Sequence, residues 1–163
     1  MSPAGSQAGL DIKVTPEGFR QLMLQAKAFD AALARNLRRN IRNAAKTVVT
    51  KMQARVRSGS YAVDVGLRDQ IARSIKVQIS TAARNPGVRI VQSGAALPAS
   101  KKRMGKTWES ATFRHPVFGN TETWVAQSGS PYFFKTAAEG RSTITDQVVA
   151  AMQDAAKVLK GAS

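Results

Sequence analysis

Residues 15–57 read TPEGFRQLMLQAKAFDAALARNLRRNIRNAAKTVVTKMQARVR. From Phe19 the apolar side chains fall at 19, 22, 23, 26, 29, 33, 37, 41, 44, 48, 52 and 56, steps of mostly three and four that lie on one face of a helix. Thr15 is suited to an N-cap, Pro16 to the first turn, and Glu17 to the positive helix end. No Pro or Gly follows between Phe19 and Arg57. At about 1.5 Å per residue, one straight helix of this length would exceed roughly 55 Å, longer than a compact domain of this size is wide. The stretch therefore predicts a long helix with a bend near Phe29 and Asp30, or one that projects from the body. With Leu37 set at zero on a helical wheel, Arg35, Arg39, Arg42 and Lys46 fall within about 40° of the opposite side. Gln53 and Arg57 continue that stripe, so one face is apolar and the other cationic.

On the N-terminal side, residues 1–9 have the composition of a disordered tail, and residues 10–14 (LDIKV) alternate as a short strand would. On the C-terminal side, residues 57–60 (RSGS) end the helix, and GLRDQIARSI from Gly66 suits a short helix with Leu67 and Ile71 inward. Ile75, Val77 and Ile79 alternate with polar residues, as do Val88 and Ile90, and Asn85-Pro86-Gly87 between them supplies turn geometry: a first hairpin. Residues 93–110 (SGAALPASKKRMGKTWES) show no period and read as a mobile basic loop carrying Lys101, Lys102, Arg103 and Lys106. Residues 112–115 and 121–127 then read as strands around a PVFGN turn, a second hairpin. Gly129-Ser130-Pro131 breaks the chain, Tyr132, Phe133 and Phe134 dock as an aromatic cluster, and a last helix begins near Thr143 or Thr145. That helix buries Ile144, Val148, Met152, Ala155 or Ala156, and Leu159, and Gly161 opens a C-terminal tail over residues 161–163. The expected fold is one α+β domain over residues 10–160. Its long N-terminal helix and C-terminal helix pack on an antiparallel sheet of about four strands built from two hairpins.

With 163 residues, 43% of them hydrophobic, the chain can bury a substantial core in one domain. Its 25 basic and 10 acidic residues give a formal charge of +15, which favours polyanions or acidic protein surfaces as partners. The charge is uneven: residues 1–57 carry 11 basic and 3 acidic residues, residues 58–116 carry 10 and 3, and residues 117–163 carry 4 and 4. An electrostatic partner is thus expected to meet the first two thirds. Cysteine is absent, which excludes disulfides, thiolate zinc sites and cysteine nucleophiles. Neither a basic leader with an apolar stretch nor a run long enough for a bilayer is present, so secretion and membrane insertion are not expected.

The motifs of chemistry mostly fail. Gly105-Lys106-Thr107 resembles the end of a phosphate-binding loop, but the glycine that must curl the backbone five residues earlier is Ser100. His115 is the single histidine and precedes Pro116, a pattern that suits a structural hydrogen bond better than a metal site, which needs several converging ligands. No nucleophile elbow or carboxylate pair occurs, and neither an enzymatic activity nor a cofactor is expected. The basic stripe and Lys101 to Lys106 have the charge to neutralise phosphates, yet no base-reading signature accompanies them. Trp108, Phe113, Phe118 and Trp124 are read as core residues rather than base-stacking platforms.

The order long helix, GLRDQIARSI, β segment, TFRHPVFGNTETWVAQSGSPYFF and closing amphipathic helix resembles the neck or tail-component proteins of long-tailed bacteriophages, also called head-tail joining or tail-completion proteins. The resemblance covers roughly residues 10–160. It is most specific at His115, Pro116, Phe118 and Gly119 of the HPVFGN turn, at Trp124 in WVAQ, and at Pro131, Tyr132, Phe133 and Phe134. The chain departs from the pattern where KKRMGK replaces an acidic or tyrosine-containing stretch. What the resemblance implies is a non-enzymatic virion component, made in the host cytoplasm and placed at the head-tail junction. There it would form a closed ring, sixfold, around the phage DNA, between the head connector or stopper and the tail terminator or tail tube protein. The neighbouring tail terminator, which also forms rings, and a free nucleic-acid-binding protein are the competing readings. Arg35, Arg39, Arg42, Lys46, Arg57, Lys101, Lys102, Arg103 and Lys106 are the candidates for facing DNA or acidic partners.

Overall fold

The computed structural model describes residues 15–59, 65–117 and 120–161. The expected N-terminal tail, the strand at 10–14 and the Phe118-Gly119 tip lie outside the described residues. The long N-terminal stretch folds as two helices, α1 (Pro16–Phe29) and α2 (Ala31–Ser58), broken where the bend was expected. Thr15 Oγ1 caps α1 by accepting from the Gly18 N–H at 3.0 Å. Asp30 takes an extended conformation, ends α1 by donating its backbone N–H to Ala26, and caps α2 by accepting from the Ala32 and Leu33 amides at 2.8 and 3.3 Å. A single short acid thus satisfies orphan groups of two helix ends. Phe29, counted on the apolar face, is 51% exposed because the chain turns away immediately after it.

Helix α2 is the spine of the molecule. Its N-terminal half packs Leu37, Ile41 and Ala44 against Phe19 and Met23 of α1 and against Val148 and Met152 of the last helix, α5 (Phe134–Gly161). Its C-terminal half packs Met52 and Val56 against Leu67 and Ile71 of α3 (Val65–Arg73), Ile75 of β1 (Ile75–Ser80), Leu97, Trp108 and Tyr132. Strand β1 pairs antiparallel with β2 (Gly87–Gln92) in the register Ile75↔Gln92 to Ser80↔Gly87, and Gly87 supplies the positive φ of 127° that the turn requires.

Three expectations are corrected here. Residues 93–110 are not a structureless loop: two 3-10 turns, Gly94–Ala96 and Ala99–Lys101, lead into α4 (Met104–Glu109), anchored by buried Leu97 and Trp108. Those two anchors stand eleven residues apart without period, so the sequence carries no helical signal for them. The last helix starts at Phe134 rather than near Thr143 or Thr145, because its cap comes from elsewhere in the chain and its Gly140 is a packing residue. A Cβ on Gly140 would stand 2.2 Å from Val48 Cγ2, so glycine here admits the close crossing of α5 over α2. Finally, the hairpins do not join into one sheet. Among the described residues β3 (Thr112–Val117) pairs only with β4 (Asn120–Ser128), giving two separate two-stranded sheets within the α+β fold.

Candidate interaction surfaces

The α2 stripe is displayed as the helical wheel predicts. Arg35, Arg39, Arg42 and Lys46 are exposed, joined by Arg38, and Arg39 donates to the Asn36 side-chain carbonyl. Among the described residues no carboxylate pairs with Arg35, Arg38, Arg42 or Lys46. Five cations on one outer helix face repel one another and attract any acidic surface brought within a Debye length, about 8 Å at physiological ionic strength. Arg57 differs from this set. It donates through Nε and Nη2 to Asp69 of α3 at 3.2 and 3.0 Å, and Asp69 also holds Arg73 at 2.6 Å, so Arg57 serves the α2–α3 contact. Arg55, which the apolar pattern did not single out, ties α2 to α5 by donating to Thr136 Oγ1 at 2.6 Å and to both Glu139 oxygens at 3.2 and 2.8 Å.

The basic residues of the 93–110 segment sit on ordered structure. Lys101 closes the second 3-10 turn, Lys102 and Arg103 are exposed between it and α4, and Lys106 is exposed on α4. Gly105 is buried within α4 and its carbonyl accepts from the Tyr132 hydroxyl at 3.2 Å, an arrangement with no resemblance to a phosphate cradle. Burial, with the Glu109 carboxylate nearby, holds the Tyr132 phenol above its ordinary range, so it stays a neutral donor. Glu109 performs the capping that α5 lacks locally: Oε2 accepts from the Tyr132 and Phe133 amides at 2.9 and 2.8 Å, and Oε1 from the Phe134 amide at 2.9 Å. Around this junction Lys106, Glu109, Tyr132, Phe133 and Phe134 line an open, mainly apolar groove of about 270 Å³. Phe134 is 71% exposed, edge-on to Phe133 at 5.5 Å between ring centroids.

The β3–β4 hairpin is the third surface. Phe113 at its base packs against the core, and the Gly129 and Ser130 amides donate to Ala111 and Trp108 carbonyls at 2.9 and 3.0 Å. Beyond that base, among the described residues, β3 and β4 pack mainly on each other. The register Thr112↔Ser128, Arg114↔Ala126 and Pro116↔Trp124 puts Arg114, Trp124 and Pro116 on one face, and Phe113, His115 and Val125 on the other. Trp124, read from sequence as core, is 51% exposed, and Val117 and Val125 are exposed as well. The register is interrupted after Pro116. His115 lies within the strand, half-buried, its Nδ1 3.0 Å from the Pro116 carbonyl and its ring 6.1 Å from that of Phe113. No protein-family model, curated protein or solved structure matches the chain.

The residues on which the resemblance rests therefore divide. Tyr132 is buried as a structural hinge between α4 and α5, while Pro131, Phe134 and Trp124 face outward. Among the described residues no group of three or more His, Asp or Glu side chains converges to hold a metal ion. The surfaces offered are an exposed cationic helix face, an open aromatic groove and a hairpin whose outer half is exposed.

Proposed function

We propose that this chain is a structural component of a tailed-phage virion. It forms a closed ring at the head-tail junction that joins the head connector or stopper protein to the tail and surrounds the DNA channel. The observation that carries the reading is the β3–β4 hairpin, whose outer half exposes Trp124, Val117 and Val125 and, among the described residues, pairs in a sheet with no other strand. An isolated two-stranded hairpin is marginally stable in water, and one that exposes a tryptophan is built for burial against another chain. The resemblance of residues 10–160 to neck and tail-completion proteins supplies the assembly in which such a contact is made. Among the described helices none is long and apolar enough to cross a membrane.

The cationic face of α2 is assigned to acidic faces of the adjoining connector and tail proteins rather than to tight DNA binding. Each phosphate contact in the lumen would add a salt-sensitive attraction that retards genome passage, whereas complementary charge across a protein interface speeds and orients docking. Reversing Arg35, Arg39 and Arg42 together to Glu is expected to leave the monomer folded, since all three are exposed, while heads and tails accumulate unjoined. Electron microscopy of the resulting particles checks it. Normal particle yield, or virions that lack the chain altogether, would overturn the reading. A density ring directly on the tail tube, with another protein between it and the head, would favour the tail terminator instead.

A further inference from the structure

We infer that the Trp124 face of the β3–β4 hairpin docks in the Phe134 groove of a neighbouring copy of the same chain, making the contact from which the assembly is built. The closure of that assembly into a ring rests on the function proposed above; the contact itself does not.

Knob and groove are complementary in shape and kind. Trp124 lies four residues before Ser128, the root end of β4, about 13 Å out along the strand, and is 51% exposed. The groove presents the edge-on Phe133–Phe134 pair, which a third aromatic ring extends at favourable geometry. The charges are complementary too. Along the hairpin face run Glu122, Trp124 and Arg114, an acid and a base on either side of the indole. Along the groove run Lys106 and Glu109, a base and an acid one helical turn apart on α4. With Trp124 seated, Glu122 meets Lys106 and Arg114 meets Glu109.

The hairpin is held away from its own groove. It springs from the residues that follow α4 and returns to those that precede α5, so each copy carries the groove at the hairpin's root and the knob toward its tip. A tip-to-root contact is heterologous: it uses different surfaces on the two copies and propagates around a ring or along an open chain.

The test is sedimentation velocity of the purified chain at physiological ionic strength, with circular dichroism to confirm folding. Trp124, Glu122 and Lys106 are exposed, so their substitutions leave the monomer intact. The natural chain is expected to self-associate, and Trp124→Ala to weaken association at least about 30-fold. Glu122→Lys and Lys106→Glu are each expected to block assembly alone, while an equimolar mixture of the two assembles, because every contact in an alternating array then pairs opposite charges. A natural chain that stays monomeric, a Trp124→Ala chain that assembles normally, single reversals without effect, or a mixture that fails to assemble would each overturn the docking. If closed particles persist in Trp124→Ala, the ring survives and this interface does not; if the natural chain forms open arrays dependent on Trp124, the interface stands and the ring reading falls.

Discussion

Gly140 carries more of the architecture than its size suggests. In a helix interior glycine costs about 1 kcal/mol relative to alanine, yet alanine here would drive its Cβ to 2.2 Å from Val48 Cγ2. Val48 is buried and β-branched, with one preferred rotamer in a helix and nowhere to yield. Overpacking of about 1–3 kcal/mol therefore exceeds the propensity gain, and Gly140→Ala is expected to lower stability in urea unfolding. Val48→Ala opens the space, so the double variant is expected to lose less than the sum of the two singles, by about 0.5 kcal/mol or more.

Tyr132 makes a different single-residue prediction. Its phenol is raised from an ordinary value of 10.0 by burial, with the nearby Glu109 charge adding to the effect. Above about pH 10 the unfolded chain gives up this proton while the folded chain keeps it, so stability falls as pH rises past that point. Tyr132→Phe loses the bond to the Gly105 carbonyl, about 1 kcal/mol at neutral pH. It is expected to flatten the alkaline decline, read as thermal midpoints from pH 8 to 11.

Among the elements, α5 depends on a carboxylate that its own sequence does not contain. Glu109 lies on α4, 25 residues before Phe134, and accepts three N-terminal amides. Removing it leaves those donors without a partner at the positive end of a 28-residue helix. Glu109→Ala is expected to cost about 1–2 kcal/mol, with amide exchange accelerating first in the opening turn of α5; unchanged exchange there would refute the role. Glu109→Gln keeps one acceptor and is expected to cost less. The break at Asp30 is the opposite case. Its cap contacts span only two and three residues, so the interruption of the long helix is legible from local chemistry. The start of α5 is not, since it needs the fold to bring α4 alongside.

Across the whole molecule, a formal charge of +15 concentrated in the first two thirds makes the folded state self-repulsive. Arg35, Arg38, Arg42 and Lys46 have no counter-charge among the described residues. Added salt is expected to raise the thermal midpoint of the monomer by screening that repulsion, and reversing Arg35 and Arg39 to Glu to shrink the salt response. A midpoint indifferent to salt in the natural chain would mean that the cations of α2 are already compensated.

Periodicity and local chemistry were enough for the helices around α2, the inward residues Leu67 and Ile71, the first hairpin and its turn, and the placement of cations opposite the apolar stripe. Each of these depends on groups within a few residues of one another, where backbone geometry leaves few choices. The order within 93–110, the early start of α5 and the separation of the two hairpins depend on Trp108 finding its pocket, Glu109 reaching Phe134, and sheet edges meeting or failing to meet. Trp124 is the sharpest instance. Alternation along a strand says which residues share a face, but whether that face is covered depends on what the folded chain brings over it, and here the described residues leave Trp124 half exposed.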